Sequence, residues 1–206
     1  MMRVTPAPEP DTFDEMVRQP GLRALDRLAL ELGVPKSETP SSKFPDHWRR
    51  SLNDLMAAYN RICSYLCLYI PRGTGARSVD HMVPKSTAWN CAYEWDNYRL
   101  ACSLMNSRKG DAVYVLDPFE VEDGWFVLEL VAFQVIPANG LAEPTATAVE
   151  DTIRRLRLND EECCGAREEY AEDYWSEHVT FDYVVRRAPF VANELRRQNR
   201  LREADA

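Results

Sequence analysis

The sequence predicts an α+β fold, a small mixed module set in a mainly helical surround with a short additional β-hairpin. Three observations lead there. Apolar residues between positions 52 and 70 recur at the three- and four-residue steps of a helix, and residues 151–158 and 190–197 also read as helical. The run 124–136, GWFVLELVAFQVI, is rich in β-branched and aromatic residues, the composition of one or two strands. Third, the stretch from Ser78 to Asp111 holds Asp80-His81, Asn97 and Asn106 in that order, and it is the most informative part of the chain. With 206 residues, 45% of them hydrophobic, the chain can bury a real core in one or two domains.

The elements follow in order. A Pro-rich arm opens the sequence, then residues 21–32, GLRALDRLALEL, form a helix that Gly33 stops. Residues 34–46, rich in Pro and Ser, read as a loop. A long helix is predicted over residues 48–69, because Leu52, Leu55, Met56, Tyr59, Ile62, Cys63, Leu66 and Ile70 share one helical face. Pro71 to Gly75 then turn the chain into a strand ending near Asp80. After Gly110 come the β run, the helix at 151–158, a charged segment, and the helix at 190–197. There is no internal repeat.

The order Asp80-His81, Asn97, Asn106 resembles the HNH nuclease motif, and the flanks agree with it. Val79 precedes the pair and Pro84-Lys85 follow it; Trp95-Asp96 precede Asn97 and Leu100-Ala101-Cys102 follow; Lys109-Gly110 come after Asn106. The resemblance implies a ββα-metal module, with a strand ending at the Asp-His pair, a second opened by the Asn, and a helix carrying the last residue. It also implies His81 as general base, Asn97 fixing the loop and orienting the imidazole, and Asp80 and Asn106 as ligands of one divalent cation. A phosphodiester repels hydroxide, so its hydrolysis needs both a base and a cation. Carboxylate and amide oxygens suit Mg2+ or Mn2+ better than zinc. Many family members also carry two Cys-x-x-Cys pairs around a structural zinc. Here the second pair reads Cys102-Ser-Leu-Met105, and the upstream Cys63 and Cys67 stand one residue too far apart. This irregular spacing argues against a zinc held by Cys63, Cys67, Cys91 and Cys102, and core thiols are the simpler reading.

On this reading the chain divides into an N-terminal arm and helix (1–47), a helix plus nuclease core (48–116), and an acidic α/β C-terminal region (117–206) that serves as a partner-docking surface. Residues 72–116 carry six basic and four acidic side chains, whereas residues 117–206 carry ten and twenty. The last segment repels a polyanion. Lys85, Arg99, Arg108 and Lys109 flank the motif and are the expected phosphate contacts, with ordinary solvated charge as the plainer alternative for each. More loosely, Glu9-Pro10 with Phe13, residues 61–67, residues 93–100 and Leu116 to Phe119 are similar to the HNH proteins of bacterial anti-phage defence, of Septu-type and retron-linked systems. Those nucleases work with an ATPase of the ABC and SMC kind. The resemblance implies a metal-dependent endonuclease cutting DNA, with RNA an open substrate, assisted by such an ATPase. The alternatives are a stand-alone restriction or mobile-element nuclease, and a catalytically silent adaptor that only binds nucleic acid or protein. Activity is expected to fall on acidification, when a protonated His81 can no longer accept a proton.

Other features point less far. His47 and His178 lack partners for chemistry, and Asp117 before Pro118 is first a turn residue. Trp89, Tyr93, Trp95 and Tyr98 suit either base stacking or packing. No P-loop, dinucleotide signature or Ser-His-Asp order is present. Six cysteines in this chain do not make a secreted disulfide framework, the first residues lack a signal-peptide core, and no run reaches membrane length; a cytoplasmic protein away from membranes is expected.

Overall fold

The computed structural model describes residues 1–206. Its helices and short antiparallel strand pairs make the α+β class that the sequence predicts. The chain divides into two compact units, each assembled from separated segments. One comprises Pro6–Arg61 and Ala76–Val113; the other comprises Met1–Thr5, Ile62–Gly75 and Tyr114–Ala206.

In the first unit a π turn at Asp14–Arg18 leads into α1 (Gln19–Leu32). Pro20 sits in its first turn, where a missing N–H costs no helical bond, and Gly33 closes it in the left-handed region at φ 68°. The buried face is Gly21, Ala24, Leu25 and Ala29, at three- and four-residue steps. Leu25 packs with Phe44, Ala92 and Tyr93. Gly21 lies flat against the Tyr93 ring, so close that an added Cβ would fall within 2.6 Å of ring carbons. Gly21→Ala should therefore lose about 1–3 kcal/mol of stability through overpacking, despite alanine's better helix propensity. Urea unfolding checks this, and an unchanged or raised midpoint would contradict it.

The helix predicted over residues 48–69 is much shorter. A 3-10 turn at His47–Ser51 runs into α2 (Leu52–Ala58), and there it stops. Asn60 and Arg61 take left-handed backbone conformations, φ 50° and 64°. Beyond them the chain enters the second unit as a compact turn, in which the Cys67 N–H donates to the Cys63 carbonyl at 2.8 Å and the Cys63 N–H to that of Leu68 at 2.9 Å. Cys63, Tyr65, Cys67, Leu68 and Ile70 are all buried there. A segment buried on nearly every side yields the same recurrence of apolar residues as one face of a helix, which is why the periodicity overstated the helix.

Two strands and a helix complete the first unit. β1 (Arg77–His81) and β2 (Tyr98–Cys102) pair antiparallel, with Val79 opposite Leu100, Asp80 opposite Arg99 and His81 opposite Tyr98. α3 (Ser103–Lys109) follows β2 directly. It ends at Gly110, whose φ of 52° with ψ of −132° suits glycine. The loop between the strands folds through short 3-10 turns at Trp89–Cys91 and Trp95–Asn97.

In the second unit the predicted β run forms a short hairpin, β3 (Phe126–Leu128) against β4 (Val135–Pro137). Four helices accompany it: α4 (Glu143–Leu156), α5 (Glu161–Trp175), α6 (Phe181–Arg187) and α7 (Pro189–Arg197). α4 starts well before the predicted residue 151, because its first half is Ala- and Thr-rich and shows little periodicity. The charged segment after α4 is itself helical: α5 buries Cys163, Arg167, Ala171 and Tyr174 on one side while Glu161, Glu162, Glu168, Glu169 and Glu172 stay exposed. No helix is long and apolar enough to cross a membrane.

Candidate active site

The end of β1, the loop after it and α3 converge on a cleft of about 430 Å³ in the first unit. Its walls include Trp48, Asp80, His81, Lys85, Asn106 and Asp111, and the exposed Arg49 and Arg77 also line it. Four of the sequence-predicted site residues, Asp80, His81, Lys85 and Asn106, are thus brought together. The antiparallel pairing sets Asp80-His81 opposite Arg99 and Tyr98 at the start of β2. α3 leaves the far end of β2, opposite Arg77, and runs back along β1 to bring Asn106 to Ser78 and Val79 and Lys109 to Asp80 and His81.

His81 is only 8% exposed, with the Trp48 ring edge-on at 5.0 Å and the Tyr98 ring at 5.2 Å. Its Nε2 lies 2.9 Å from the Ala92 carbonyl oxygen. A carbonyl only accepts, so Nε2 carries the proton and Nδ1 keeps the lone pair. The Tyr98 hydroxyl donates to the same carbonyl at 2.9 Å and steadies it. Burial, then the nearby Lys85 and Lys109 ammonium groups, outweigh the Ala92 bond and lower the His81 pKa from 6.5 to about 3. The imidazole is therefore neutral at physiological pH.

Asn97 does not line the cleft. It is buried at the start of β2, where its Oδ1 accepts from the Val83 N–H at 2.7 Å and its Nδ2 donates to the carbonyls of Val83 at 3.0 Å and Cys91 at 2.9 Å. These bonds close the loop that presents Ala92. Asn97 thus bears on the imidazole through Ala92, as a positioning residue.

Asn106 donates from Nδ2 to the Ser78 hydroxyl and to the Val79 carbonyl at 3.2 Å, which leaves Oδ1 without a hydrogen bond. Asp80 is buried and lies 3.3 Å from the ammonium of Lys109. Asp80 and the Asn106 Oδ1 are therefore two oxygen donors on one cleft, a set that fits a hard cation keeping most of its own waters. No cluster of three or more His, Cys, Asp or Glu side chains stands at metal-binding distance. Of the cysteines, Cys63 and Cys67 belong to the second unit and the half-buried Cys91 and Cys102 to the first; all six are free thiols.

The expected phosphate contacts need correction. Lys109 is fully buried and its Nζ also donates to the His81 carbonyl at 2.7 Å. Arg99 is buried as well, with Nη1 bonded to the carbonyls of Asp96 at 2.7 Å and Tyr98 at 2.9 Å. Neither can reach a phosphate. Arg108 is half-buried on α3 and does not line the cleft. Lys85 does, with its Nζ 4.0 Å from the centre of the Trp48 ring, and burial lowers its pKa against the pull of Asp111, Asp46 and Asp80.

Sequence reading missed Trp48, Arg49, Arg77 and Asp111 as cleft residues. Arg77 had a legible signal, since it lies three residues before Asp80 on the same strand. Trp48 and Arg49 had none, being some thirty residues upstream. The loop aromatics serve packing: Tyr93, Trp95 and Tyr98 are buried, and the Trp95 indole N–H donates to the Ala7 carbonyl at 2.8 Å. His178 is exposed beside Asp173, and Asp117 accepts from the Phe119 N–H as a turn residue at 2.9 Å. Comparison with models of known protein families finds none that matches the chain, and comparison with curated proteins finds no relative.

Proposed function

We propose that this chain is a metal-dependent endonuclease of the HNH class that hydrolyses phosphodiester bonds, with DNA as its substrate. The observation that carries this reading is a neutral histidine, its proton fixed on Nε2 by Ala92, sharing one cleft with two oxygen donors and a basic lining. His81 Nδ1 takes a proton from water as that water attacks phosphorus, and the leaving oxygen departs on the opposite side. Asp80 and Asn106 hold a Mg2+ or Mn2+ ion, which when bound stabilises the charge that builds on the phosphoryl and leaving oxygens. Arg49, Arg77 and Lys85 bind the phosphates on either side of the scissile bond. The ββα order of β1, β2 and α3, with Asp80-His81 ending the first strand, supports the assignment to that class.

The acidic second unit fits a role in docking an ATPase of the ABC or SMC kind, as in the anti-phage systems that the sequence resembles. The exposed glutamates of α5 form the surface for it. A chain lacking residues 140–206 that still captures the ATPase at full strength would rule this out.

Cleavage of supercoiled plasmid with Mg2+ or Mn2+, against a chelator control, tests the activity. Metal-dependent nicking is expected, and its absence with every nucleic acid and with the ATPase present counts against the reading. Arg49→Ala and Arg77→Ala should each weaken nucleic-acid binding regardless of sequence and reduce the slope of log affinity against log salt by about one. Arg99→Gln should leave that slope unchanged. Fluorescence anisotropy over a salt series distinguishes these outcomes.

A further inference from the structure

The charges of the cleft bear on how its cation arrives. Arg49, Arg77 and Lys85 line it against Asp80 and Asp111, so its walls carry more positive than negative charge. Behind them stands Lys109, with none of its side chain exposed, 3.3 Å from the Asp80 carboxylate. The same ammonium donates to the His81 carbonyl at 2.7 Å and ties α3 to the end of β1. Removing one partner of a buried pair leaves the other charge uncompensated, so this lysine stays where it is. The proposed carboxylate ligand is consequently neutralised before any metal comes. Asp111, the other carboxylate, accepts from the Ser86 hydroxyl at 2.8 Å.

We infer that Lys109 makes cation uptake conditional on nucleic acid: the empty cleft attracts an anion and holds a free divalent ion poorly, and a substrate phosphate supplies the missing negative charge. The inference rests on the nuclease reading. Lys109 acts here as a positioning residue, since it touches neither substrate nor reacting atoms. A hard cation that keeps its waters needs anionic oxygen to outweigh the neighbouring positive charges, and a bridging phosphate gives it that. Binding of the two is then coupled, and coupling of affinities is reciprocal.

The test follows Mn2+ by its paramagnetic resonance signal in a His81→Ala chain, so that a DNA duplex survives. Duplex should tighten Mn2+ binding by about tenfold or more, and Mn2+ should tighten duplex binding by the same factor. In the same background Lys109→Met should bind Mn2+ about tenfold more tightly without duplex and lose most of the coupling. Lys109→Gln, which keeps a donor for the His81 carbonyl, should do likewise, showing that charge and not packing is read out. Circular dichroism checks that both fold, and if neither does, the coupling in the chain with Lys109 intact decides. Equal Mn2+ binding with and without duplex overturns the inference and leaves the nuclease reading standing. No Mn2+ binding under either condition overturns both.

Discussion

Replacing His81 by alanine is expected to lower cleavage by about a hundred- to ten-thousandfold, the usual contribution of a positioned general base. Nucleic-acid binding should be retained, because Arg49, Arg77 and Lys85 stay in place. The loss therefore falls on kcat, and single-turnover cleavage at saturating duplex measures it. A variant that cuts at the rate of the unaltered chain would remove His81 from the mechanism. The pH profile adds a second readout. With its folded pKa lowered to about 3, His81 remains unprotonated throughout the mildly acidic range. The acid loss expected from an ordinary histidine near pH 6.5 is therefore displaced well downward. Stability responds differently. The unfolded chain binds the His81 proton below about pH 6.5 and the folded chain only below about 3, so stability falls as pH drops through that window. His81→Ala should remove this part of the pH dependence, as denaturant titrations across pH 3 to 7 can establish.

Asn97→Ala should have the second largest effect, and on two quantities together. It strips partners from the Val83 N–H, the Val83 carbonyl and the Cys91 carbonyl. These bonds are part-buried and Val83 is exposed, so water replaces some of them and a loss of about 1–3 kcal/mol in all is expected. The loop bearing Ala92 then loosens, Nε2 loses its fixed acceptor, and cleavage falls with the fraction of correctly oriented imidazole. Asn97→Asp separates the parts. It keeps the acceptor for the Val83 N–H but turns a carboxylate oxygen toward the carbonyls of Val83 and Cys91, so it should cost at least as much stability as the alanine variant. Unfolding midpoints and single-turnover rates measured on the same samples would show it, and an Asn97→Ala chain of undiminished stability would refute the loop-closing role.

What could be read beforehand depended on whether a residue's meaning was local. Asp80-His81 at a strand end and Asn106 on the next helix lie within one short stretch of chain, so their order already implied a meeting point. Gly33 as a helix stop was legible for the same reason, since glycine takes the left-handed conformation easily. The sign of a charge says nothing about which way it points. Arg99 and Lys109 were expected at phosphates because they flank the motif, yet strand pairing turned Arg99 toward backbone carbonyls and α3 carried Lys109 inward to Asp80. Trp48 and Arg49 reach the cleft only through tertiary packing. The overlong second helix failed for another reason: uniform burial of residues 62–70 copies the spacing of an amphipathic face.

The interleaving of the two units has a consequence for biosynthesis. A chain made from its N-terminus completes the cleft-bearing unit once residue 113 has emerged. At that moment Ile62–Gly75 lacks most of its own unit, because Met1–Thr5 is present but Tyr114–Ala206 is still to be made. Cys63, Tyr65, Cys67, Leu68 and Ile70 then form an apolar loop exposed on the nascent chain. Contacts so distant in sequence form slowly, and such loops are where chaperones bind and aggregation begins. The nascent chain is thus expected to pass through a stage with a finished cleft and an unfinished second unit.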